Sequence, residues 1–579
     1  MDVDSTKEKF IVDVFDYVIV GAGPSAMGIL RGLLEEEISK AADSSNGHSK
    51  QKPPSIAIVE RGDGPPHDSA TRFPERWFEA ANPISNSSKS VRVYPSEIRG
   101  RAFGIPVGQG LGGSSNINAC LCLPPLQQDL ESWPDPFRSS LVLNANYLRN
   151  TMEGNKAILR TPLENTPNPF SLKNSILDFY TTVPTMAAMD KRTNRPVRRN
   201  YYDALVEPFL KEHPSLEENL HWFRGYEAER LLVNADASTR VIGIECTPAG
   251  CDGTSTYREI HASKRVILCT GAIETPALLL VSKLGDKEPL LGVGQRLADQ
   301  ALIPMAFIKS PSLWNNESPN GIAAVGHLNI ERNGSGGTYQ TIQVAITDSA
   351  SNASIIPISV AMVLRFECKS KILILIREIL FRCMTAAIRF AILYTPLGLL
   401  MRQLTMVTLI FLLDPKSSGS VTISPKKDPK PEIRGPKRRK DVTIEANPRY
   451  LKDPQDMKDL KKAWDALRSI SSSSLGRLPS LVFSVIKLLR SENFWFEQYC
   501  DSVLCPYYHF SGTCAMIKIT NDNPNWVVDS SLKVRGYDGL YVCDASIFPS
   551  MISNPPALTC AALGYTFARS ILEDDESKY

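Results

Sequence analysis

The sequence predicts an α/β fold in which a doubly wound, Rossmann-like unit is joined by a second α+β unit over a mostly antiparallel sheet. Three observations predict it. Phe15–Leu34 (FDYVIVGAGPSAMGILRGLL) reads as a short apolar strand at Tyr17–Val20, a glycine turn and a helical pattern. Lys264–Gly285 repeats that order as a buried strand, a small-residue turn and a helix. Elsewhere apolar and polar residues alternate. Gly225–Cys246 does so as two antiparallel strands joined at Asn234–Ser238, and Asn315–Pro357 as a sheet with one wet face.

Composition bounds the rest. A chain of 579 residues is too long for one ordinary core and implies roughly two to four domains. Its 43% hydrophobic and 22% charged residues describe a folded globular protein. Lys and Arg number 65 against 62 Asp and Glu, a net charge of +3 that gives no footprint for nucleic acid. The run Lys426–Lys440 (KKDPKPEIRGPKRRK) reads as a solvated loop, with contact to anionic headgroups as the sharper alternative. The N-terminus, MDVDSTKEKF, lacks an apolar signal region, so a reducing, cytoplasmic compartment is expected. The 12 cysteines show no paired CxxC spacing, so buried free thiols are expected and no metal site. The last residues, Ser-Lys-Tyr, are a weak echo of a peroxisomal address.

The chemistry starts at GAGPSA, 21–26, which follows GxGxxG/A. Gly21 permits the tight turn, Gly23 lets a pyrophosphate approach the backbone, and Ala26 takes the third place. The helix beyond offers unpaired N–H groups and a positive dipole end. Glu60 ends the next strand and is placed to accept from ribose hydroxyls; a polar surface insertion, Glu35–Pro54, explains its distance from the glycines. This fingerprint leaves FAD and NAD(P) both open. A further Gly-rich element spans Gly108–Cys120. Residues 371–413 are strongly apolar, yet Arg377, Glu378, Arg382, Arg389 and Arg402 interrupt them, so a spanning helix is disfavoured. A buried helical hairpin or an interfacial membrane patch remain, with Val407–Leu413 reading as a strand. His509, in HFSGTCAM, is on its own more often a structural histidine than a catalytic one.

Other segments resemble one family in fixed order: LGGSSNINA (111–119), GAIETPALLLVSKLG (271–285), GVGQRLADQ (292–300), DPKSSGSVTI (414–423), DLKKAWDALR (459–468), HFSGTCAM (509–516) and VCDASIFPSMISNPPALTCAALG (542–564). They resemble the glucose–methanol–choline (GMC) flavoprotein oxidoreductases over residues 15–130, 200–300 and 410–570. The resemblance implies a Rossmann-like FAD domain built from discontinuous segments, here 1–160, 196–308 and 505–579. It implies a cap region at 161–195 and a substrate domain at 309–504 carrying the apolar insertion 371–413.

Carried over residue by residue, Gly21, Gly23 and Glu60 hold the ADP half of FAD, and Ala228 meets the adenine. Gly113, Ser114 and Asn118 line the pyrophosphate and flavin, and Asp544 and Ala545 the pyrophosphate and ribityl chain. Ile117 stands where some members bear a flavin-linking histidine, which implies noncovalent FAD. Gln109 stands where the family has an arginine. His509 matches the active-site histidine and Asn554 its partner. The implied reaction is oxidation of an alcohol to an aldehyde or ketone by hydride transfer to flavin N5. His509 takes the hydroxyl proton and Asn554 bonds the developing alkoxide. Oxygen or a quinone is the implied electron acceptor. A lipophilic alcohol follows if the apolar insertion borders the entrance, with peripheral membrane contact through 371–413. Light-driven fatty acid decarboxylases and hydroxynitrile lyases share the scaffold and are the alternatives. The former place asparagine where this chain has His509; the latter are usually secreted.

Overall fold

The chain is seen as a computed structural model that describes residues 11–43, 53–64, 69–77, 91–162, 177–179, 182–234, 239–250, 257–284, 290–308, 321–331, 339–347, 371–396, 398–400, 405–426, 438–474, 492–518 and 525–576. The first sheet has seven strands. Ile11–Val20 lies at its centre and pairs in parallel with Ile56–Glu60 on one side and Arg258–Leu268 on the other. Leu220–Arg224 extends it in parallel beyond Ile56–Glu60, and the C-terminal strand Leu540–Val542 pairs in parallel with Arg258–Leu268. Tyr226–Val233 and Val241–Pro248 add the expected antiparallel hairpin, which Asn234 helps close by donating to Arg240 O at 2.8 Å. Val18, Ile19 and Ile58 are fully buried, as continuous apolar runs require in a parallel sheet covered on both faces.

Two helices close one face, and their closeness brings the ends of the chain together. Pro24–Asp43 follows the glycine turn, and Pro556–Glu576 ends the described chain. Their backbones touch through glycine. A Cβ at Gly28 would lie 1.9 Å from Ala561 O, and one at Gly564 would lie 2.0 Å from Ser25 O. The first helix runs on to Asp43, so residues 35–43 are helix rather than the expected surface insertion. Their neighbours 44–52 lie outside the described residues.

The second sheet has six strands, all antiparallel, in the order Cys505–Pro506, Ala301–Ile308, Thr405–Leu412, Tyr339–Thr347, Ile322–Glu331, Leu177–Phe179. Its period-2 alternation sorts two cores. Ile303, Met305, Ile342, Val344, Ile410 and Leu412 face the helices Pro454–Ser474 and Glu492–Val503, meeting Leu460, Trp464, Phe496 and Val503. Leu302, Ala345, Leu409 and Phe411 face the other way, toward Trp77, Leu121 and Tyr507. The expected wet face is therefore corrected: Gln343 and Thr347 point away from the helices and are buried all the same. The domain limits shift too. Ala301–Ile308 belongs to this sheet, so its unit begins before residue 309, and Leu177–Phe179 joins it from the segment assigned to the cap.

Thr405–Leu412 is the expected strand, but the insertion ahead of it is no buried hairpin. Lys371–Tyr394 is one helix, and its side chains Ile379, Leu380, Phe390 and Tyr394 are exposed by 52%, 53%, 62% and 70%. Among the described residues no helix is long and apolar enough to cross a membrane. Nine of the ten described cysteines are free and buried as expected; Cys383, in this helix, is exposed.

Because helix backbones meet at Gly28, Gly28→Ala forces a methyl group against Ala561 O. Overpacking of this kind costs about 1–3 kcal/mol. Thermal melting of the purified variant is expected to show a clearly lower midpoint than the parent, whereas an equivalent change at exposed Gly154 leaves it in place.

Candidate active site

Where the three glycine-rich segments converge, one carboxylate joins them. Glu60 Oε2 accepts Ala22 N at 2.9 Å, while Oε1 accepts Gly62 N and Gly110 N at 2.8 Å each. Gly113 packs so closely that a Cβ there would stand 2.8 Å from Gly23 Cα. At Gly23 the nearest atom to such a Cβ is 3.8 Å away, so that glycine leaves room where the helix begins. Asp544 arrives from the C-terminal segment and caps the second strand–turn–helix. Its Oδ2 accepts Gly271 N at 2.8 Å and Thr275 Oγ1 at 2.6 Å, and its Oδ1 accepts Ser546 N at 2.8 Å.

These groups line one cavity with about 1820 Å³ of space, open solvent at its mouth included. Gly21, Gly23, Glu60, Ala228, Gly113, Ser114 and Asn118 line it, as do Asp544, Ala545 and His509. Ile117 lines it as well. Two expected residues stand elsewhere. Ala26 is fully buried in the helix and takes the packing role of the third glycine position. Asn554 is fully buried, donates from Nδ2 to Pro124 O at 2.7 Å and is not among the lining residues, so the structure gives it a bracing role rather than contact with a substrate oxygen.

The two ends of the cavity differ in charge. At one, Glu274 receives Arg61 at 2.8 Å and Arg439 at 2.9 Å, and Arg92 meets Glu227 at 2.5 Å. Burial pushes Glu274 up, but Arg439 and Arg61 outweigh it and hold the carboxyl at about 2. Arg61 Nε also donates to Gln109 Oε1 at 2.8 Å, so a guanidinium stands beside the position where the resemblance expects one. Arg439 corrects the expectation for 426–440: that basic run ends buried and paired, while 427–437 lie outside the described residues. Nothing in the sequence pattern of those arginines marked them, because their partners lie far along the chain.

At the other end stands His509. Its ring stacks on Tyr507 at 3.7 Å between centroids, and Tyr507 stacks on Phe411 at 3.8 Å. Nδ1 lies 2.7 Å from Gln300 Oε1, and the backbone N donates to Asp299 Oδ1 at 2.7 Å. Tyr507 donates from its hydroxyl to Gln343 Oε1 at 2.7 Å. The lining residues Trp77, Leu121, Ala119 and Tyr507 all belong to one apolar cluster. His509 is half-buried and lines this cavity. Burial therefore pulls its imidazole down to about 3 and keeps it neutral. Burial also pushes Asp299 up to about 7 against the pull of the Tyr450 hydroxyl and the His509, Tyr508 and Gln300 amides. Asp299 and Gln300 were within sight in GVGQRLADQ, as two polar residues entering a buried strand, but only the fold sets them behind His509.

A two-part nucleotide cradle running into an apolar chamber with a neutral histidine fits a dinucleotide-dependent oxidoreductase. The chain matches the GMC oxidoreductase family over residues 15–171 and 208–302 and again over 415–564, and it belongs to that family, whose cofactor is FAD. It is 23% identical to versicolorin B synthase of Aspergillus parasiticus, over 96% of this chain and 88% of that protein. It is likewise 23% identical to ecdysone oxidase of Bombyx mori, over 95% and 81%. Among solved structures it resembles formate oxidase with a TM-score of 0.65 at 16% identity, covering 98% of this chain and 99% of that one. Pyridoxine 4-oxidase from Mesorbium loti gives 0.59 at 18%, covering 96% and 99%. At such identities the likeness to solved structures carries the fold alone.

The neutral histidine makes a prediction. An unfolded histidine titrates near 6.5, so between about pH 3 and 6.5 the unfolded chain binds the extra proton and stability falls as pH falls. Above pH 7 this contribution is flat. His509→Asn removes it, so the drop in melting temperature between pH 7 and 4 is expected to be shallower in the variant than in the parent.

Proposed function

We propose that this protein oxidises an uncharged, apolar or aryl alcohol to an aldehyde or ketone with His509 as the base. The observation that carries the reading is the placement of a neutral imidazole in the uncharged, aromatic end of the FAD-family cavity. Gly21, Gly23, Glu60, Gly113, Ser114 and Asn118 would hold FAD, with Ala228, Asp544 and Ala545. They fit it, because Gly23 leaves open room at a helix N-terminus and Glu60 Oε2, with one N–H accepted, keeps acceptor capacity. With Ile117 at the linking position, the cofactor is held noncovalently. When bound, FAD supplies the hydride acceptor.

The chain's own residues do the remaining work. Trp77, Leu121 and Tyr507 exclude water from the substrate's carbon and favour an apolar body over a cation or a sugar. His509 accepts the hydroxyl proton as the C–H bond breaks, and a ring that is neutral at rest is available for it across the physiological range. Oxygen or a quinone would serve as the final electron acceptor. Anaerobic mixing with a panel of aryl, long-chain and short alcohols, choline and sugars tests this. Aryl or long-chain alcohols are expected to bleach the flavin, and His509→Ala to slow bleaching by about 10²–10⁴-fold. Bleaching by choline or sugars alone, or by none of the panel, would turn the reading toward other chemistry.

The exposed apolar helix Lys371–Tyr394 supports a peripheral contact with an anionic lipid surface. Its sequence holds four cations, Lys371, Arg377, Arg382 and Arg389, against one acid, Glu378, and the apolar side chains Ile379, Leu380, Phe390 and Tyr394 are exposed. Vesicles containing phosphatidylserine are expected to pull the protein down at low salt, and neutral vesicles far less. Ile379→Ser with Leu380→Ser should release it while flavin absorbance is unchanged.

A further inference from the structure

We infer that two adjacent residues, Asp299 and Gln300, set the base: Asp299 fixes the backbone of His509, and Gln300 fixes its tautomer so that Nε2 is the proton acceptor in the cavity. This rests on the reading of His509 as base.

The donor count decides the tautomer. Gln300 is fully buried, and its Nε2 donates to Leu413 O at 3.0 Å and to Ile552 O at 2.8 Å. Backbone carbonyls only accept, so both amide protons are used and the amide has one orientation. The flipped amide would set its oxygen against two carbonyls. Oε1 is thus the atom 2.7 Å from His509 Nδ1, and since it can only accept, Nδ1 must carry a proton. The lone pair of the neutral ring is left on Nε2, which has no hydrogen-bond partner among the described residues while the ring lines the cavity. After Nε2 takes a proton, Nδ1–H still faces the same oxygen, so the contact serves both protonation states without rearrangement.

Asp299 secures the other degree of freedom. Its carboxylate accepts the N–H groups of Tyr507 at 3.2 Å, Tyr508 at 3.3 Å and His509 at 2.7 Å, together with the Tyr450 hydroxyl. Tyr508 has φ of 66°, a left-handed conformation costly for a bulky residue. A carboxylate gathering three successive amides holds that strained turn, and ladder bonds between Ala298 and Ser511 at 3.1 and 3.0 Å flank it. One dipeptide therefore aims both the main chain and the imidazole.

Gln300→Glu distinguishes an electronic role from a packing one: it keeps the side chain's length and the acceptor at Nδ1, gives up the amide donors to Leu413 O and Ile552 O, and brings a carboxylate that favours the charged ring. In anaerobic flavin reduction by an aryl alcohol from pH 3 to 9, the acid limb of the rate is expected to move up by a unit or more, from its place near pH 3 in the parent. Gln300→Leu is expected to slow reduction by roughly tenfold or more at unchanged substrate affinity, yet less than the about 10²–10⁴-fold of His509→Ala. Flavin absorbance and melting temperature confirm that each variant folds and holds FAD. If His509→Ala is slow while Gln300→Glu keeps the parent's limb, the inference is overturned and the base survives. If His509→Ala reduces flavin at the parent's rate, the base reading itself falls.

Discussion

Three backbone amides on one buried carboxylate hold this molecule together at its centre. Glu60 ends a parallel strand and binds the first glycine turn through Ala22, its own following turn through Gly62 and the third glycine-rich segment through Gly110. A buried carboxylate is costly unless its lone pairs are filled, and here turns with unpaired N–H groups fill them. Each side solves the other's problem. The device recurs twice. Asp544 ties the C-terminal segment to the helix that starts at Gly271, and Asp299 ties the strand entry to the turn at Tyr507–His509. A domain made of discontinuous segments needs such joints, because no covalent continuity sets their relative positions.

Charge is sorted along the cavity for a physical reason. The arginine–glutamate network at one end neutralises itself, so Glu274 stays ionised although it is buried. The other end is bounded by one face of the six-stranded sheet, whose alternation supplies Phe411, Leu409 and Leu302. With no compensating charge there, desolvation alone acts on His509 and keeps it neutral. The apolar surface that lowers the histidine's proton affinity is the same surface that would receive an apolar substrate. On the proposed reading, base strength and substrate preference come from one set of side chains.

Much of this was legible in the chain. The glycine turn, its helix and the acid at residue 60 are local, dictated by φ requirements and by period-2 and 3.6 patterns, and the other residues expected in the cradle were implied by the family resemblance. The hairpin at 226–248 and the strand before Asp414 were local as well. Local signals failed where partners are distant. The polar positions of Tyr339–Thr347 suggested solvent, but a packed neighbour covers them. The apolar run at 371–394 suggested burial, but among the described residues no packed face covers Ile379, Leu380, Phe390 or Tyr394.

The sequence by itself determined the nucleotide-binding turn, whose backbone geometry admits few alternatives, while the cofactor family and the candidate histidine followed from the resemblance of several segments to one family. Only the tertiary structure decided which groups act together. Asn554 turned to Pro124, Ala26 went to the core, and Gln300, 209 residues from His509, became its ring partner. Hydrogen-bond direction and desolvation depend on atoms brought near by folding, and no spacing along the chain encodes them.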